Sequence, residues 1–126
     1  MKLEYLDNVN DYNDNVVRLY DFDKLQANRF QQEIEQTIIK SKKQLNLTTL
    51  DYIQVINCNL TLRIADSNKG ITTEDNINFF CELTIKGFEE MISLLEPFCD
   101  KQTSRFQWLY DLDTPTELLF SPKGTW

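Results

Sequence analysis

The chain has 126 residues, a length that fits one core and leaves little room for two. Hydrophobic residues make up 41% and charged residues 26%, an ordinary globular balance, and eight Phe, five Tyr and two Trp supply enough apolar area for a core without disulfides or metal. A formal net charge of −7 and the absence of histidine exclude much: a dominant cationic surface for nucleic acid, Ser-His-Asp and Cys-His nucleophile systems, imidazole bases and His-containing metal sites.

In chain order, Leu3 and Tyr5 alternate with polar neighbours as a short strand, and residues 7–15 read as an Asn/Asp-rich loop. Residues 1–15 are therefore expected to be a peripheral strand and loop. Val16 to Tyr20 is β-branched and aromatic enough for a central strand. Asp23 is a natural N-cap for a helix from Lys24 to about Gln44, in which Ala27, Phe30, Ile34 and Ile38 share one face. The knot Lys40-Ser41-Lys42-Lys43 sits at the end of that helix, where positive charge complements the macrodipole.

After residues 45–50 the apolar period changes to two. Leu60, Leu62 and Ile64 define the buried side of one strand, and Phe79, Cys81 and Leu83 that of another. Residues 66–76 read as a long hairpin loop between them, turning at Asn68-Lys69-Gly70. A second helix carries the stripe Phe88, Met91, Ile92, Leu95 and Phe98 or Cys99, with Pro97 in its last turn. Phe106, Trp108, Tyr110 and Leu112 then alternate as a strand, and Glu117 to Phe120 forms a short final one before Trp126, which is expected to fold back as a hydrophobic plug.

This order predicts a single α+β domain over residues 1–126: a ferredoxin-like (split βαβ) sandwich, with a mostly antiparallel sheet, two helices on one face and additional short terminal strands. No apolar run approaches the roughly 20 residues that span a bilayer, and the first residues lack a secretory signal, so the expected setting is soluble and cytoplasmic. Without that signal the triplets Asn46-Leu47-Thr48 and Asn59-Leu60-Thr61 carry no weight as glycosylation sites.

The candidate chemistry thins out on inspection. Cys58, Cys81 and Cys99 form no CxxC pair and fall at apolar positions, where cysteine behaves as a small hydrophobe. An EF-hand begun at Asp11 would place Val16 where a glycine is required and Phe22 where a bidentate Glu is required, so no calcium loop is present. On the expected topology Asp21 and Asp23 approach Asp66, Glu74 and Asp75, an acidic rim able to receive basic side chains or a divalent ion. The simpler role for Asp23 is capping, with the other four carboxylates solvating loops. Asp111 and Asp113 fall at the opposite end and cannot complete a carboxylate pair with Asp21. The outward parity of the sheet collects Asn57, Asn59, Thr61, Arg63, Asn78, Phe80, Glu82, Thr84, Gln107 and Leu109. This face has too few aromatics and too little positive charge for RNA.

The functional expectation is a non-enzymatic binding or interaction protein of immunity or inhibitor type. It would use the acidic rim or the open sheet face, with Asp21, Asp23, Asp66, Glu74, Asp75, Arg63, Phe80 and Leu109 as interaction residues. No catalytic residue, metal or cofactor is assigned. The partner would be a protein, a small molecule or a second copy of the chain, with no nucleic acid or membrane. A carboxylate-based enzyme and a small-molecule-sensing module are the alternatives.

Overall fold

In the computed structural model, which describes residues 1–7, 15–103, 105–110 and 116–123, the elements in chain order are β1 (Lys2–Leu6), β2 (Asn15–Tyr20), α1 (Lys24–Glu33), β3 (Leu45–Asn46), β4 (Gln54–Val55), β5 (Asn59–Ile64), β6 (Gly70–Thr73), β7 (Asn78–Leu83), α2 (Ile85–Asp100), β8 (Gln107–Tyr110) and β9 (Thr116–Ser121). The readings made for residues 8–14, 111–115 and Trp126 fall outside the described residues. The fold is mixed α/β, with two helices and two sheets of mixed strand orientation.

The first sheet has the order β4-β1-β2-β9-β8. β1 and β2 pair antiparallel, setting Leu3 against Leu19 and Tyr5 against Val17. β9 pairs parallel with β2, setting Val17 against Leu118 and Leu19 against Phe120. β2 is a central strand, as its composition predicts. β1, expected at the periphery, lies between β4 and β2, and β9, expected as an appended terminal strand, is also interior to the sheet. On the outer side of this sheet, Arg18 donates to Glu4 across the strands at 2.7 Å and lies 3.9 Å over the Tyr20 ring.

The second sheet has the order β3-β5-β7-β6 and overturns the split βαβ expectation. β5 and β7 were read as two arms of an antiparallel hairpin; they run parallel, with Leu60 beside Phe79 and Leu62 beside Cys81. The reason is β6. Gly70 to Thr73, read as loop, is a strand that pairs antiparallel with the far edge of β7. The chain therefore runs out along β5, back along β6, and returns through the gap between them. Parity within β5 and β7 survives the change, because pairing direction does not alter which face a side chain takes. Ile64, at the strand end, is an exception at 36% exposure, and Thr61 is buried between its cross-strand partners Asn46 and Phe80.

Asp23 caps α1 as predicted: its carboxylate accepts from the Gln26 amide at 2.9 Å, and Gln26 Oε1 accepts from the Asp23 amide at 3.3 Å. The helix continues as a π-helical stretch over Ile34–Lys40 and stops there, short of Gln44, with Lys42 in a left-handed conformation at φ 56°. α2 begins at its N-cap Thr84, whose hydroxyl accepts from the Gly87 amide, and ends at Asp100 with Pro97 in the last turn. Its buried residues include Phe88, Met91, Leu95, Phe98 and Cys99, matching the predicted stripe, while Ile92 is half-buried.

Both helices pack on each other, and α2 touches β7 of one sheet and β8 of the other. Residues of both sheets and both helices join one buried cluster. Phe120 of β9 is its hub: the rings of Phe22, Phe98 and Phe30 lie 4.1, 5.0 and 6.0 Å from it, centroid to centroid. At the other end of the cluster Tyr5 and Phe79 meet at 4.7 Å and join the two sheets. The environments around β8 differ from the alternation that the sequence predicts. Leu109, expected outward, is buried at an irregularity between Trp108 and Tyr110, and Phe106 lies just before the strand and is exposed.

Burying three aromatic contacts through one side chain makes Phe120 the expected weak point for substitution. Phe120→Ala is expected to cost about 3–5 kcal/mol of unfolding free energy. Leu25→Ala, at a position 73% exposed, should stay within about 0.5 kcal/mol. Urea denaturation of both variants checks the contrast.

Candidate functional site

The outer face of the second sheet carries the most organised polar group among the described residues. Period-two alternation sends Arg63 out of β5 and Phe80 and Glu82 out of β7, while β6 adds Thr72 alongside Phe80. The Arg63 guanidinium lies 3.9 Å over the Phe80 ring, a cation–π stack, and its Nε stands 3.3 Å from Glu82 Oε2. The Thr72 hydroxyl donates to Glu82 Oε1 at 2.7 Å. Thr72 and Arg63 together hold the Glu82 carboxyl below the usual carboxylate range, with the Thr72 hydrogen bond the larger influence.

The turn from β6 to β7 closes one end of this face. Asp75 accepts from the Ile77 amide at 2.9 Å, the Asn78 amide at 2.8 Å and Asn78 Nδ2 at 3.0 Å. These donors, the Asn78 amide first, pull its pKa down to about 2. Asn76, at φ 58°, takes the left-handed conformation that a short amide side chain tolerates. Thr73 Oγ1 donates to the Asn78 carbonyl at 2.8 Å and accepts from the Asn76 amide at 3.0 Å. The two segments enclose an open depression of about 270 Å³, lined by Arg63, Thr72, Thr73, Glu74, Asp75, Asn78, Phe80 and Glu82.

Four of the residues predicted from sequence, Arg63, Glu74, Asp75 and Phe80, thus share one site. The other four do not join it. Asp21, at φ 55°, follows β2 in the first sheet and pairs with Lys2 at 3.3 Å. Asp23 is occupied in capping α1. Asp66 lies in the β5–β6 connection, 4.0 Å from Lys69 and at the opposite end of β6 from Glu74 and Asp75. The continuous acidic rim does not form, because it required β2 and β5 to be neighbours in one sheet. Leu109 belongs to the core. Glu82 and Thr72 were overlooked as site residues. The parity of β7 already placed Glu82 outward beside Arg63, whereas nothing marked Thr72 as part of a strand.

At this site Asp75 and Glu82 both move down, away from the neutral range in which a general acid or base is effective. Among the described residues no group of three or more His, Cys, Asp or Glu side chains is placed to hold a metal ion. The three cysteines are free and buried; burial pushes the Cys58 thiol up to about 12, Cys99 up to about 11, and Cys81 upward as well. Comparison with protein-family models, with curated proteins and with solved structures finds no match.

Two outcomes follow from these ionisations. Asp75 has a lowered value in the folded state, so the stability it contributes is complete above its unfolded value of about 3.9 and is lost as pH falls through about 2. A carboxyl-carbon NMR titration should show that low midpoint, and between pH 4 and 2 the wild type should lose more stability than Asp75→Asn. The thiols should also resist a disulfide reagent at pH 8 in the folded protein, reacting at least about a hundredfold more slowly than after unfolding, because the thiolate is the reacting species.

Proposed function

We propose that this protein is a non-catalytic binding module of the immunity or inhibitor kind, presenting the outer face of the second sheet to a protein partner with a basic surface. The observation that carries this reading is the pre-ordered array of Arg63, Phe80, Glu82 and Thr72 on an open face. Side chains that are already stacked and hydrogen-bonded lose little freedom on association, which removes one of the larger costs of binding. Glu74, Asp75 and Glu82 outnumber Arg63 around the depression, and the whole chain carries −7, so charge favours a cationic partner. The same charge opposes a second copy of the chain at this face, which favours a heterologous partner over the homodimer. Three unpaired cysteines support a reducing, intracellular setting.

A photoreactive phenylalanine analogue in place of Phe80, introduced in the native host, is expected to capture one dominant partner that the same analogue at Leu25 does not. Glu74→Lys should reduce capture by about tenfold, and the recovered pair should dissociate more readily as salt rises from about 50 to 500 mM. The same adducts from Phe80 and Leu25, or an association indifferent to salt, would count against this face as the binding surface.

A further inference from the structure

A second depression, of about 340 Å³, lies between the last turn of α2 and the start of β8, away from the sheet face described above. Pro97, Phe98 and Phe106 supply its apolar lining, and Lys101 and Arg105 its charge. Phe106 is 43% exposed, although its ring is fixed edge-on to Trp108 at 6.2 Å between centroids. With Pro97 and Phe98 it gives the depression an apolar wall beside its two cations.

The cations are as informative as the ring. In a chain of net charge −7, carboxylates are plentiful, yet among the described residues neither Lys101 nor Arg105 has an ion-pair partner. Glu96, one turn back on α2, accepts from Gln31 Nε2 at 2.6 Å, and neither Glu96 nor Asp100 lines the depression. Lys101 follows the last helical residue, where its charge also complements the macrodipole. Among the described residues Arg105 has no such structural task; its amide donates to Thr103 Oγ1 at 3.2 Å, which fixes the backbone beneath its side chain.

We propose that this depression binds a small amphipathic monocarboxylate, with its apolar body against Pro97, Phe98 and Phe106 and its carboxylate received by Arg105 and Lys101. A guanidinium and an ammonium suit a carboxylate through charge-assisted hydrogen bonds. The volume sits at the lower end of the roughly 300–1,000 Å³ typical of small-molecule sites, which fits a compact ring or short chain. A polyanion would meet the opposing field of the whole chain, whereas a monoanion pairs with two local cations. The carboxylate has two sources of the same chemistry, a free acid or the carboxyl end of a peptide with an aromatic last residue.

Amide-shift NMR titration of the full chain separates the two. The probes are phenylpropionate and its primary amide, and the tripeptide Gly-Gly-Phe with a free or an amidated carboxyl end. Saturable shifts confined to residues around the α2–β8 connection are expected for the acids, with affinity at least about tenfold above the matching amides. Arg105→Gln should weaken acid binding by about fivefold or more while leaving remote resonances in place, and Lys101→Gln serves if the first variant disturbs the spectrum. Tighter binding of the tripeptide than of phenylpropionate assigns the site to a polypeptide terminus, and the reverse order to a free acid. No saturable shift up to about 10 mM of either acid, equal response to acid and amide, or shifts centred elsewhere would overturn the proposal.

Discussion

The packing of Phe22, Phe30 and Phe98 around Phe120 is the constraint from which the rest of the molecule hangs. Phe120 comes from the interior of the first sheet, Phe22 from the link between β2 and α1, and Phe30 and Phe98 from the two helices. Ring contacts at 4.1 and 5.0 Å fix both distance and orientation, because offset and edge-on arrangements are preferred over arbitrary ones. Once the helices are set on β9 in this way, α2 reaches β7 and the second sheet is drawn against the first, with Tyr5 and Phe79 in contact.

This arrangement spends the apolar side of the second sheet on the core and leaves its polar side as a surface. The consequence is a division of labour within each strand of that sheet. Leu60, Leu62, Phe79 and Cys81 hold the fold, and their immediate neighbours Arg63, Phe80 and Glu82 are aimed outward by the same backbone. The rigidity of the outward set is inherited from the inward set. Glu82 is further restrained by Thr72 and Arg63, and the β6–β7 turn by Asp75, so the face is firm on both of its levels.

Local patterns in the sequence were legible where local physics decides. The helix cap at Asp23, the stripes of both helices and the in-and-out parity of β5 and β7 all follow from neighbours a few positions apart. Pairing direction was not legible, since parallel and antiparallel partners have the same period and only β6 distinguishes them here. β6 itself, Gly70-Ile71-Thr72-Thr73, has a single core residue, Ile71, and opens on a glycine, so it carries no alternation long enough to register. Of the predicted site, the sheet-face members Arg63 and Phe80 came from parity and were brought together. The rim failed because Asp21 and Asp66 depended on a neighbour relation between β2 and β5 that two separate sheets forbid. In β8 a single irregular position buries Leu109 against the expected parity, and Phe106 falls outside the strand altogether.

The late insertion of β9 and β7 between earlier strands bears on how the molecule is made. β9 must find β2 roughly a hundred residues upstream, as the pairing of Thr116 with Asn15 shows, and β7, which can pair locally with β6, must also come to lie between it and β5. The pairs β1–β2, β6–β7 and β8–β9 can form between adjacent segments, but completing either sheet requires β9 to join β2 and β7 to join β5, so loop-closure entropy is met before those contacts exist. Until β9 pairs with it, one side of β2 presents unsatisfied backbone groups to any neighbouring chain. Wiring of this kind leaves open strand edges in any partly assembled form, the condition in which chains associate wrongly.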